Sequence, residues 1–473
     1  MVFSSIGFLF FFLPLLLVIY FVIPRRFREL RNFVLLGFSL FFYAYGGPRF
    51  LVLMLVSIII NYSCGLFVSK EYPEKTRRFF LITAVVLGLG LLGWFKYSGF
   101  FAETINALGT SLPLPNVTLP IGISFFTFQG LCYVIDVYRG ESEPMKNPLR
   151  IALYISLFPQ LVAGPIVRYS TVSGQIAARD ENLARFSEGA LRFVFGLSKK
   201  MLLANTLGLI ADKTFGPSGG ALSVSLAWLG ALAYSGQIYF DFSAYSDMAL
   251  GLGRMFGFEF LENFNYPYIA RSITDFWQRW HISLTSWFRD YVYIPLGGNR
   301  SGKWRNIRNI VIVWLLTGFW HGAAWNFIFW GLWFCVLLLG EKFIWGKLLY
   351  RLPAVARHLY TLLLVIMSWV LFRADSLPAA FSYLGAMFGA RGAALSDGQT
   401  LYMLKEYWPE LIFAVVAALP VKNAVHSLLQ KHETGLGGQL LAWGPRLLGL
   451  VLLACSYLKL VIGSFNPFIY FRF

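Results

Sequence analysis

Six long apolar runs decide what this chain can become: Ile6–Ile23, Phe33–Gly46, Phe50–Phe67, Phe79–Trp94, Leu359–Phe372 and Leu447–Ile462. Only the last holds a charge, Lys459. A helix rising about 1.5 Å per residue crosses about 30 Å of hydrocarbon in about 20 residues. In lipid every backbone polar group needs an internal partner, which leaves helices or closed barrels. The runs are continuous rather than alternating, which argues against a barrel. The pattern predicts an all-α, polytopic membrane protein with about ten to thirteen spans. Composition agrees, with 13% charged residues against about 25% in soluble domains. There is no internal repeat, low-complexity tract or flexible linker, so residues 1–473 are expected to form a single domain.

Charge placement gives an orientation. No positive residue precedes the first run, and Arg25, Arg26, Arg28 and Arg31 follow it. It lacks a small-residue cleavage site, so it reads as a retained first span rather than a signal peptide. Positive loops stay cytoplasmic, which puts Met1 outside. The net charge of +17 comes from basic residues lying between the apolar runs. There they set orientation and meet anionic headgroups, so no nucleic-acid partner is expected. Cys64, Cys132, Cys335 and Cys455 lie scattered in apolar segments with no metal-ligand spacing, and no metal is expected. Gly88, Gly90 and Gly93 form a G-x-G-x-x-G within a hydrophobic helix with no preceding strand. It is read as a packing feature, not a dinucleotide site.

Other segments look broken or polar. Leu157–Arg168 carries Pro159, Gly164 and Pro165. Such breaks survive at membrane depth where they are buried in protein or line a wet cavity. Broken or re-entrant helices around a central tunnel are therefore expected. Asp241, Ser243, Ser246 and Asp247 follow an apolar run closely, as polar-cavity residues or as a helix cap. From residue 254 to 309, arginines and lysines alternate with Trp277, Trp280, Trp287 and Tyr291, the pattern of cytosolic-side interfacial helices. His321 differs. It follows Ile310–Trp320, apolar apart from Thr317, and an ionisable residue in such a setting is a functional candidate by default. Basic clusters lie on both sides, at Arg300–Arg308 and Lys342–Arg357. Both belong in the cytosol, so the intervening segment should return to the side it entered. A broken hairpin with its apex near His321–Asn326 satisfies that parity; a single long tilted helix, with one basic cluster on the outer face, is the alternative.

Several motifs together resemble one family: MVFSS at the start, LPIGISFFTFQ, IDVYRG, the V-A-G-P of Val162–Pro165, YFDFSAYSDMALGLG, ENFNYPY, SITDFWQRWHISLTSWFRDYVYIPLGGNR, and the W-H-G of Trp320–Gly322. They resemble the bacterial membrane-bound O-acyltransferases of the alginate and peptidoglycan O-acetyltransferase type. The resemblance implies that His321 is catalytic and that His281 is a second family histidine on the donor side. It implies an acetyl group passing from cytosolic acetyl-CoA across the bacterial inner membrane to an extracytoplasmic polysaccharide of alginate, cellulose or peptidoglycan type. A periplasmic SGNH-type partner is implied for the final transfer. Asp241, Asp247, Asn263, Arg279 and Asn326 are candidates for lining the tunnel or supporting the histidines.

Chemistry fits that expectation. A buried neutral imidazole can accept a hydroxyl proton and return it to a leaving thiolate. The chain ends NPFIYFRF after a span expected from about residue 443, with the tail outside. That ending resembles the terminal motif of the small partner peptide in teichoic-acid D-alanylation, which makes Tyr470 an acyl-relay candidate or an interfacial anchor. The competing readings are a transporter or flippase with a midplane polar site, a scaffold for a periplasmic enzyme, and D-alanyl transfer to teichoic acid.

Overall fold

The computed structural model describes residues 1–216, 222–300, 302–430, 436–463 and Phe468. Helices dominate, and no strand occurs among the described residues. Six helices are long and apolar enough to cross a membrane: Pro48–Phe67, Glu74–Asn106, Leu183–Phe215, Trp325–Phe343, Ala354–Arg373 and Gly437–Ile462. A bent pair, Gly398–Ala418 with Val421–Gln430, makes a seventh candidate. Gly7–Val22 and Leu377–Met387 are apolar but shorter. The chain is an all-α, multi-pass membrane protein. The described residues hold six or seven helices of spanning length rather than about ten to thirteen, because runs such as Ile6–Ile23 form shorter helices.

Two compact units divide the chain. The first comprises residues 1–193 and 245–261. Its aromatic core gathers Phe3, Phe8, Phe42 and Phe158, with Phe3 stacked on Tyr245 at 4.5 Å. Two helices cross at Gly189 and Gly251, where an added Cβ would lie 2.5 and 2.6 Å from the opposing carbonyl oxygen. The glycines of the G-x-G-x-x-G lie inside the helix Glu74–Asn106. Gly88 packs near Leu131, whereas Gly90 and Gly93 face open space. Close packing therefore accounts for one of the three. A buried polar knot ties the unit: Glu181 accepts hydrogen bonds from Tyr20, Arg28 and Arg31.

The second unit comprises residues 194–244 and 262–473. One part of its core packs Ala227 and Ala231 against Ile366, Val370, Tyr383 and Met387. Helices Lys303–His321 and Trp325–Phe343 form an antiparallel hairpin broken at Gly322–Ala324. The close approach of its legs depends on glycine. A Cβ on Gly318 would lie 2.4 Å from the Phe327 carbonyl oxygen, and one on Gly331 the same distance from that of Trp314. The expected hairpin is thus present, with legs of 19 residues each.

Candidate active site

Two short helices precede the hairpin. Ile273–Arg279 begins at Ser272, whose hydroxyl accepts from the Asp275 amide. Glu341, from the second leg, accepts from the Ile273 and Thr274 amides at 2.7 and 3.0 Å. The free N–H groups of a helix start thereby gain partners, one of them a carboxylate suited to that end of the dipole. Ile282–Phe288 begins at His281. That residue has φ +44°, and with Tyr266 it is one of two non-glycine residues in the left-handed region among those described. Such a backbone is costly for a side chain with a Cβ, and the neighbours must hold it. They do so by cross-bonds: Ile282 N–H to the Asn263 carbonyl at 3.0 Å and Asn265 N–H to that of Arg279 at 2.9 Å.

His281 is fully buried. Its ring lies edge-on to Phe242 at 4.6 Å, and its Nδ1 is 3.2 Å from Asn263 Oδ1. Burial pushes its pKa down to about 3, so the ring is neutral at physiological pH. His321 ends the first leg of the hairpin. Trp320, Trp330 and Phe372 surround its ring at 4.9, 4.9 and 5.3 Å, each steeply tilted to it. Trp320 also lies 6.0 Å from His281. One indole therefore touches both histidines, 40 residues apart in sequence.

A cavity of about 250 Å³ adjoins this cluster. Its lining runs from the exposed Thr274, Gln278 and Arg289 to the buried Trp277, Trp314 and Thr317. Thr317 precedes His321 by one helical turn, on the same face of the helix. Trp277, 5.7 Å from Trp330, connects the cavity wall to the rings around His321.

The remaining sequence candidates separate. Asn263 joins His281 directly. Asp241 pairs with Lys200 at 2.7 Å, both buried, on the residue next to Phe242. Arg279 is a strut, bonding Asp275 at 2.7 Å and the Asn265 carbonyl at 3.2 Å. Asn326 bonds the Ala374 carbonyl at 3.0 Å and anchors the start of the second leg. Asp247 belongs to the first unit, where it takes Arg192 at 2.8 Å. Tyr470 lies outside the described residues. Lys200, Ser283, Glu341 and the ring set Trp330–Phe372 were not singled out from sequence. Lys200 lies in a widened π-helical turn, Lys199–Ala204, a feature frequent at functional sites but silent in the sequence. No group of three or more His, Cys, Asp and Glu able to hold a metal occurs among the described residues.

Comparison with known proteins assigns the chemistry. The model of the MBOAT, membrane-bound O-acyltransferase, family matches residues 142–382. The chain is 40% identical to the "Probable alginate O-acetylase AlgI" of Azotobacter vinelandii, over 100% of both chains. It is 32% identical to the "Peptidoglycan O-acetyltransferase" of Helicobacter pylori, over 100% of this chain and 98% of that one. Likeness to the "Teichoic acid D-alanyltransferase" of Bacillus subtilis is 31%, over 51% of this chain and 64% of that one. With a family match across half its length and relatives matched from end to end, this chain belongs to the membrane-bound O-acyltransferases and is an O-acyltransferase.

Proposed function

We propose that this enzyme takes an acetyl group from cytosolic acetyl-CoA and delivers it across the bacterial inner membrane for O-acetylation of an extracytoplasmic polysaccharide, with an SGNH-type periplasmic protein completing the transfer. The observation that carries this is the pair of histidine rings meeting one indole, Trp320, with a cavity of about 250 Å³ one helical turn from His321 at Thr317. End-to-end likeness to relatives named for alginate and peptidoglycan O-acetylation supports a polysaccharide acceptor, alginate-type first. D-alanyl transfer is less well supported, because that likeness covers about half the chain. Orientation rests on the basic loops, which put both termini outside.

In this reading the cavity takes the thioester arm of the donor. Drug-sized ligands occupy pockets of roughly 300–1,000 Å³, so about 250 Å³ suits a narrow chain, not a whole nucleotide cofactor. Its aromatic and threonine lining matches an arm of alternating methylene and amide groups. The His321 imidazole accepts the proton of the attacking hydroxyl. The oxygen bonds to the thioester carbonyl carbon, the C–S bond breaks, and the imidazolium returns its proton to the thiolate. Water exclusion by the surrounding rings protects the thioester from hydrolysis.

His321→Ala should lower acetyl transfer by at least about a hundredfold while the protein stays monodisperse. Labelled acetyl-CoA and purified enzyme measure it. Retained transfer in that variant would move the chemistry elsewhere and favour a scaffold. His281→Asn keeps a residue that tolerates the left-handed backbone, so a loss of activity there reports the ring, not the fold.

A further inference from the structure

The hydrogen bonds around Asn263 determine which nitrogen of His281 carries a proton. Asn263 Oδ1 lies 3.1 Å from the Ser283 backbone nitrogen, 2.9 Å from Ser283 Oγ and 3.2 Å from His281 Nδ1. A backbone N–H only donates, so the Asn263 atom facing it must be the oxygen. The flipped amide would set donor against donor. Ser283 Oγ also lies 3.4 Å from His281 Nδ1, but its hydrogen goes to the nearer Asn263 Oδ1 at 2.9 Å. An amide oxygen only accepts, so the shorter contact, Asn263 Oδ1 to His281 Nδ1, puts the hydrogen on Nδ1 and the lone pair on Nε2. Nε2 is buried and has no hydrogen-bond partner among the described residues. A buried lone pair left without a donor is costly.

We propose that Asn263, backed by Ser283, is a positioning residue that fixes His281 in one tautomer, so that its Nε2 is a standing hydrogen-bond acceptor for an O–H or N–H group of the bound substrate. The proposal rests on reading His281 as part of the acyl-transfer site. It separates the two histidines by task. His281, held by Asn263 through Nδ1, orients a substrate hydrogen with Nε2, and His321 remains the base of the proposed transfer. It also excludes His281 as an oxyanion donor, since Nε2 carries no proton. The ring's other neighbours are uncharged, Phe242 and Trp320. The ionisable groups along these elements are Asp241, which pairs with Lys200; His321; Arg279, which pairs with Asp275; and the exposed Glu262 next to Asn263.

The test uses full-length enzyme carrying Asn263→Ala, Asn263→Asp or Ser283→Ala, each checked for monodispersity and melting. Asn263→Ala should cut turnover by roughly tenfold to a hundredfold, with KM changed by less than about threefold. Asn263→Asp still accepts from Nδ1 and should restore most of the turnover at pH 8. Its carboxylate favours the doubly protonated ring, so its acid limb should move upward into about pH 5–7. Ser283→Ala should lose less than Asn263→Ala. Folded Asn263→Ala with normal turnover overturns the proposal. So does Asn263→Asp as impaired as Asn263→Ala with the wild-type pH profile. The same variants are scored in a deletion strain by O-acetyl released from its polymer, which presumes no donor. Wild type active there but inert with acetyl-CoA refutes the donor, and the Ala-to-Asp rescue still decides the positioning. If wild type is inert in both assays, melting against pH decides. The folded His281 pKa lies below the unfolded value, so wild type should lose stability as pH falls from about 6.5 towards 3. Asn263→Asp should flatten that loss, and an unchanged slope overturns the proposal.

Discussion

At Glu181 one carboxylate meets a phenol and three guanidinium groups. Its side chain is 1% exposed; Arg31 and Arg179 lie 2.5 and 3.4 Å away, and Arg28 and Tyr20 also bond it. Burial alone would raise its pKa, but the Tyr20 and Arg28 hydrogen bonds and the Arg179 and Arg28 charges outweigh burial and lower it. The folded value lies below the unfolded one. The knot therefore adds stability above about pH 4.3, and loses it as pH falls through the folded value. Removing one member of a buried ion cluster strands the others, at about 3–5 kcal/mol. Glu181→Ala should lower the melting midpoint markedly, while Glu259→Ala, at an exposed pair with Arg185, should change it little. Little of this was legible beforehand. Arg28 and Arg31 were read only for their positive charge; both lie on the helix Arg28–Ala44, and a partner about 150 positions away leaves no local signature. Asn263 is similar: it stood among the candidates through a family motif, and its bond to His281 depends on two turns crossing, which no periodicity reports.

The hairpin was legible because charge parity is a property of whole segments. Two basic clusters on one side force a return between them, whatever the packing. Its intimacy was not foreseen. Gly318 and Gly331 let the two backbones approach more closely than any side chain permits, and the sequence contains many glycines with no such task. Gly331→Ala places a methyl 2.4 Å from the Trp314 carbonyl oxygen. Overpacking of this kind costs about 1–3 kcal/mol, and it should tilt the legs and displace His321. Both the melting midpoint and turnover should fall. Gly90→Ala is the control, since its Cβ meets nothing within 4 Å. It should leave activity unchanged and stability equal or slightly higher.

For the whole molecule, the apolar runs made the membrane architecture legible and the motifs made the family legible. The tail is the part that needs experiment. Phe468 is 5% exposed and lies 5.9 Å from the Lys200 ammonium, which pairs with Asp241. Deleting residues 470–473 leaves Phe468 in place and removes the Tyr470 hydroxyl. If Tyr470 relays acetyl, the folded truncate should stop acetylating polymer, and Tyr470→Phe should do the same. Normal polymer acetylation by both variants, measured as base-released acetate, would leave the tail as an anchor only. The path of the chain carries one more implication. The first unit takes residues 245–261 from beyond an intervening stretch of about fifty residues. Phe3 stacks on Tyr245, Gly189 crosses Gly251, and Arg179 donates to the Phe256 carbonyl at 2.9 Å. During synthesis the amino-terminal helices must therefore wait in the bilayer with an unfilled slot. They close only after the ribosome has delivered more than half the polypeptide, which makes that interval the natural moment for an insertion chaperone to hold them.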